Sequence, residues 1–234
     1  MKTWLERAVA PALIDRVPRD HQQTGREVRR RRLVVAAALA VGATLLGFSL
    51  ATPPGDPLFY PLTIAVGAVW VAGGLLSGPL HLGYIPFRGG LRRPVVTPLA
   101  LGLAAGAFFV AGALIVREID PLRSYVAHVL AHARRGNTAL VTLVTLVNGV
   151  GEEIFFRGAL FAAVGRRNPV VVSTAVYALV TVATGNPMLV FAAILMGFLF
   201  GLQRRASGGI LAPMLTHLTW SLVMLFALPP IIGR

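Results

Sequence analysis

Seven long apolar stretches, separated by short basic or proline-rich breaks, constrain this chain more than any other feature. They run from Leu33 to Leu50, Leu58 to Leu80, Val95 to Val116, Thr138 to Val164, Val170 to Thr184, Met188 to Leu202 and Ile210 to Leu228. Most approach the roughly 20 residues that cross a hydrocarbon layer as a helix. In lipid every backbone polar group has to be satisfied, so such stretches cross as helices. Only 13% of the residues are charged, against about 25% in soluble domains. The expected fold is all-α: a polytopic transmembrane helix bundle of about seven spans, with about six to eight as the range.

Charge placement orients the bundle. The first 32 residues hold nine Lys or Arg against four Asp or Glu, and Arg29-Arg30-Arg31-Arg32 abuts the first apolar stretch. If spans alternate, the tail, the 87–94 loop with Arg88, Arg92 and Arg93, Arg166-Arg167 and Arg204-Arg205 share one side. The turns at 52–57 and 185–187 face the other and carry no Lys or Arg. The positive-inside rule then predicts a multi-pass cell-membrane protein with a cytosolic N-terminus. The formal net charge of +13 reads as attraction to lipid headgroups in the bilayer rather than to nucleic acid. One loop runs against the rule: 117–137 carries Arg117, Arg123, Arg134 and Arg135, offset in part by Glu118 and Asp120. It reads as a polar connector with a short helix after Pro121, or as a re-entrant segment or eighth span.

Three regions follow: a basic tail over 1–32, N-terminal membrane helices and the polar connector over 33–137, and a membrane core over 138–234. Within the tail, Val9 to Leu13 and Val17 suit an amphipathic helix on the membrane surface. Gly102 with Gly106 and Gly197 with Gly201 are small-xxx-small pairs, read as close packing inside the bundle rather than dimerisation. With no cysteine, disulfides, thiolate metal sites and a Cys nucleophile are excluded.

Chemistry concentrates in the fourth span. Of nine acidic residues, only Glu152 and Glu153 sit within an apolar stretch, joined there by Arg157. Ionisable groups at such depth are costly and as a rule functional. Glu153 and Arg157, four residues apart, share a helix face and can pair. An ion-paired clasp between helices would explain those two equally well. Glu152 points about 100° away, and Phe156 stands four residues on. A desolvated carboxylate without a cation is the setting for a general base or proton carrier. His217, with Ser221 one turn on, lies in the last span, and Thr181 in the fifth. At about 1.5 Å per residue the depths of Glu152, His217, Ser221 and Thr181 agree well enough for them to meet near mid-membrane. His128 and His132 have metal-compatible spacing, but without the Glu of a zincin motif they are read as the polar face of an interfacial helix.

Glu152-Glu153-Ile154-Phe155-Phe156-Arg157-Gly158 resembles the EExxxR motif of the CPBP family, the CAAX proteases and bacteriocin-processing enzymes also called Abi. Pro213 and His217-Leu218-Thr219-Trp220-Ser221 resemble the family's HxxxN or HxxxD motif, and Tyr177-Ala178-Leu179-Val180-Thr181 stands where it has FxxxH. Two positions depart: Thr181 replaces a His, and Ser221 replaces Asn or Asp. The resemblance covers roughly Leu140 to Leu228. It implies intramembrane hydrolysis of a peptide bond in a membrane-associated or lipidated substrate. Carried over, Glu152 is the general base and His217 an oxyanion donor, while Glu153 and Arg157 organise the site. No cofactor is expected, since the two remaining candidate ligands fall short of the three that a catalytic zinc normally takes. Two other readings stay open. Thr181 and Ser221 suit an inactive relative that binds or scaffolds membrane peptides. Glu152 would also suit a proton-coupled transporter, against which the missing internal repeat weighs.

Overall fold

The computed structural model describes residues 4–18, 22–87 and 89–233. Arg88 and tail residues 1–3 and 19–21 lie outside the described residues. α1 (Trp4–Leu13) precedes α2 (Gly25–Ala51) and α3 (Phe59–Ser77). β1 (Ile85–Phe87) and β2 (Gly90–Arg92) form an antiparallel hairpin that pairs Ile85 with Arg92. Next come α4 (Val96–Val116) and α5 (Asp120–Arg135). One continuous run then passes from α6 (Thr138–Glu152) through a π-helical segment (Glu153–Leu160) to α7 (Phe161–Val164). α8 (Pro169–Val182), α9 (Pro187–Ser207) and α10 (Leu211–Ile232) follow. Among the described residues, six helical runs are long and apolar enough to cross a membrane, and α8 is a shorter apolar helix. A polytopic helical bundle is what the sequence predicts.

Local chemistry sets the helix ends. Thr24 and Glu27 form a reciprocal capping box at α2. Asn137 caps α6, and Asn186 caps α9 by accepting from the Met188 and Leu189 N–H groups. Such side chains satisfy amide donors that have no partner in the first turn. Pro169 and Pro187 open α8 and α9, where a missing N–H costs nothing. α9 stops at Gly208, whose φ of 71° lies in the left-handed region.

With α8 counted among them, successive apolar helices run in alternate directions, so the bundle has two ends. At the tail end Arg32 Nε donates to the Ala163 carbonyl at 3.0 Å, and Arg31 Nη1 to Ser77 Oγ at 3.2 Å. At the far end Asn186 Nδ2 donates to the Tyr125 carbonyl at 2.8 Å.

Three expectations change in the structure and a fourth narrows. The 117–137 connector holds the short helix expected after Pro121: α5 lies at the far end, packed on α10, α9, α6 and α4, and is not among the helical runs long and apolar enough to cross a membrane. Its basic residues are partly accounted for there, since Arg123 pairs with Asp120 and Arg134 Nη2 donates to the Pro229 carbonyl near the end of α10. His132 does not join His128 on a polar face. It is buried against the Phe59 ring, with Nε2 3.0 Å from the Thr52 carbonyl oxygen. The 87–94 loop is largely the β-hairpin. Finally, α9 continues through the stretch expected to be a loop, so Arg204 is helical and buried. In the basic tail, α1 docks on that extension: Val17 N–H donates to the Ala206 carbonyl at 3.1 Å, and Arg205 Nη2 to that of Leu13 at 3.3 Å.

Small residues let the spans approach, as close packing in lipid requires. A Cβ on Gly102 would lie 2.6 Å from Thr219 Cβ, and one on Gly106 2.8 Å from Val223 Cγ1, so α4 lies directly on α10. Gly42 of α2 receives the Trp70 ring, which packs on Phe155 and Phe156 at 4.7 and 5.1 Å between centroids.

Candidate active site

The π-helical turns begin at the paired glutamates. π-helical segments are rare and occur frequently at functional sites, because they rotate side chains and carbonyls out of α register. Every residue from Phe155 to Leu160 is buried, as is Glu153. The Arg157 carbonyl accepts from Arg204 Nε at 2.7 Å, so α9 is tied to the segment at the backbone.

Glu153 and Arg157 have no solvent exposure and pair as the sequence predicts, Nη1 to Oε1 at 3.1 Å. Further hydrogen bonds offset the cost of burying such a pair, and here they do so in part, since Arg157 Nε is buried without a hydrogen-bond partner among the described residues. Arg157 Nη2 donates to the Gly197 carbonyl at 3.3 Å, and its guanidinium lies over Tyr177 and Phe200, 4.7 and 5.0 Å from their centroids. Residue 197 has to be small: a Cβ there would be 3.2 Å from the Tyr177 ring and 3.3 Å from Arg157 Nη2.

His217 also reaches this pair. Its Nδ1 lies 2.9 Å from Glu153 Oε1, and its ring stacks on Phe200 at 4.8 Å. An ionised carboxylate only accepts, so Nδ1 carries the proton in this contact and Nε2 is left for other chemistry. Glu153 Oε1 is thereby shared by Arg157 and His217, while Oε2 is buried without a hydrogen-bond partner among the described residues.

Glu152 stands differently. It is half-buried, and its Oε2 accepts from the Tyr177 hydroxyl at 2.5 Å. Among the described residues no cation pairs with Glu152, as expected, but the carboxylate does have a hydrogen-bond partner. That partner comes from α8, across the bundle, and not from the residue four positions on. Side chains from three helices do meet here, yet α8 contributes Tyr177 rather than Thr181. Thr181 Oγ1 donates to the Tyr177 carbonyl in its own helix at 2.8 Å. Ser221 is buried one turn beyond His217 and makes no hydrogen bond to Glu152 or Glu153 among the described residues.

Two residues escaped the sequence reading. The Tyr177 hydroxyl sits where the family pattern has an aromatic ring without one, which is the signal that could have drawn notice. Gln203, fully buried, donates from Nε2 to Thr216 Oγ1 at 2.7 Å, and Thr216 Oγ1 to the Pro98 carbonyl at 2.9 Å. That relay locks α9, α10 and α4 together beside His217. Among the described residues no three His, Asp or Glu side chains come together as a metal site.

Residues 134–223 match the family model described as type II CAAX prenyl endopeptidase Rce1-like. The match runs from the end of α5 into α10 and contains all six candidate residues: Glu152, Glu153, Arg157, Thr181, His217 and Ser221. Over that segment the CPBP resemblance read from the motifs is borne out. No curated protein and no solved structure matches the chain.

Proposed function

We propose that this chain is an intramembrane endopeptidase of the CAAX-protease type, acting on lipidated or otherwise membrane-associated peptides. The observation that carries the reading is the contrast within the glutamate pair. Glu153 is buried, with Oε1 shared by Arg157 and His217, whereas Glu152 keeps exposed surface, bonds neither of them, and has only Oε2 held, by Tyr177. The buried, ion-paired carboxylate organises and the accessible one reacts.

In this mechanism Glu152 takes a proton from water as the water oxygen bonds to the scissile carbonyl carbon. The carbonyl π electrons move to oxygen, and Nε2–H of His217 donates to the resulting oxyanion. Collapse breaks the C–N bond, and the proton held by Glu152 passes to the leaving amine. For Nε2 to donate while Nδ1 stays on Glu153, the imidazole carries both protons. Glu152, Glu153, Arg157 and His217 then sum to zero charge, the least costly state away from water. The proposed sequence of steps uses no metal. With the basic tail on the cytosolic side, substrate meets the site from the cytosolic half of the membrane.

Purified protein in nanodiscs, given a farnesylated CAAX peptide, should release the C-terminal tripeptide, and Glu152→Gln should abolish release. Cleavage unchanged in Glu152→Gln overturns the reading. Thr181, with its hydroxyl turned onto its own helix, favours a second reading: an inactive relative that binds such peptides. Peptide binding without any cleavage by the wild-type chain would select it.

A further inference from the structure

The two departures on α8 are complementary. Where the family pattern has a histidine, this chain has Thr181, whose hydroxyl is consumed by the Tyr177 carbonyl one turn earlier at 2.8 Å. Where the pattern has phenylalanine, this chain has Tyr177, whose hydroxyl lies 2.5 Å from Glu152 Oε2. Positions 177 and 181 are four residues apart and share a helix face. The polar group has thus moved one turn along α8, from a residue facing its own backbone to one facing the reactive carboxylate.

The ring that carries this hydroxyl is held on several sides. Phe156 packs against it at 4.7 Å between centroids, the Arg157 guanidinium lies over it at 4.7 Å, and Gly197 supplies the gap into which its edge fits. Phe156 and Arg157 belong to the same π-helical segment that follows Glu152, so donor and acceptor are fixed to one another through shared neighbours. Pre-organised donors are what make a buried hydrogen bond effective, because no reorganisation is needed during reaction.

We infer that Tyr177 is the residue of α8 that positions the Glu152 carboxylate, in the place of the histidine this chain lacks. Its phenol keeps its proton throughout. It holds Oε2, which leaves Oε1 as the oxygen directed at water. This inference rests on the endopeptidase reading for its kinetic consequence, but the hydrogen bond itself can be read without any turnover.

The test compares Tyr177→Phe with Thr181→Ala in the full chain in nanodiscs, with the farnesylated CAAX peptide as substrate. Tyr177→Phe removes one oxygen and keeps the ring with its packing. It should lower kcat about ten- to hundredfold, the loss expected for one hydrogen bond to a charged group, while KM stays within about twofold. Thr181→Ala should leave both constants within about twofold. The reverse pattern, or equal effects, overturns the inference. Infrared spectra supply the arm that needs no activity. The carboxyl bands assigned to Glu152 by subtracting the Glu152→Gln spectrum should shift in Tyr177→Phe and stay in place in Thr181→Ala. Bands unmoved by Tyr177→Phe overturn the positioning role even if the protein cleaves peptide. Absent cleavage with a shifted band overturns the endopeptidase reading alone.

Discussion

His217 Nδ1 is hydrogen-bonded to Glu153 Oε1 at 2.9 Å. The histidine of α10 is thus anchored to the second glutamate, the one already paired with Arg157 at 3.1 Å. The contact orients the imidazole as a carboxylate orients a catalytic histidine elsewhere, by holding Nδ1–H and leaving Nε2 turned away from Glu153. It also makes one carboxylate oxygen the junction between the π-helical segment and the last span.

Removing the histidine side of that junction should affect fold and reaction together. His217→Phe keeps a ring against Phe200 but strips Glu153 of a buried donor. Thermal unfolding in detergent should report a loss of about 2–3 kcal/mol, and peptide release should fall by at least about a hundredfold. Full activity in a stable His217→Phe protein would remove the histidine from the mechanism.

The Glu153–Arg157 pair should show the asymmetry of buried ion pairs. Glu153→Gln or Arg157→Met alone leaves one desolvated charge and should cost about 3–5 kcal/mol. Glu153→Gln/Arg157→Met should cost less than the two single changes summed, with a coupling of about 1–3 kcal/mol in a denaturant double-mutant cycle. Strict additivity would mean that the contact is energetically idle.

Packing outside the matched segment should bear on the site. A methyl at Gly102 would lie 2.6 Å from Thr219 Cβ and 2.8 Å from the Thr216 carbonyl oxygen, next to His217 in the chain. Gly102→Ala should therefore push α4 off α10 and destabilise the protein by about 1–3 kcal/mol. It should also weaken the Gln203–Thr216–Pro98 relay. The control Gly112→Ala, where nothing lies within 4 Å, should be neutral within about 0.5 kcal/mol. Equal effects of the two would argue against this helix contact.

His81, in the segment between α3 and the hairpin, gives a pH signature. Burial first, then the nearby Arg204 and Arg31, lower its pKa below the ordinary 6.5. The unfolded chain therefore binds a proton that the folded chain resists. Stability is full above about 6.5 and falls as pH drops below that value toward the folded pKa. His81→Gln should flatten this part of the Tm-against-pH curve, measured from pH 7 down to pH 5. An unaltered slope would remove His81 as its source.

Some features follow from local chain physics and are legible in the residue order alone. Apolar stretches near membrane thickness define the spans, because lipid leaves unpaired backbone groups no partner. The Glu153–Arg157 contact is legible because its ends are one turn apart on the same chain. The Gly102, Gly106, Gly197 and Gly201 contacts are legible as close approaches, since small residues have little other reason to recur at that spacing.

Depth along a span and orientation around it are separate quantities, and the sequence by itself determined only the first. It predicts similar depths for Glu152, Thr181, His217 and Ser221. The tertiary structure decided which of them face one another. The rotation of each helix about its axis is set by packing against several neighbours, and here also by a π-helical segment that changes the angular spacing just after Glu152. That rotation sends His217 to Glu153 and not to Glu152. It turns Thr181 onto its own backbone and brings the Tyr177 hydroxyl to Glu152. Spacing along one helix named the two glutamates, and the packing between helices gave them different partners.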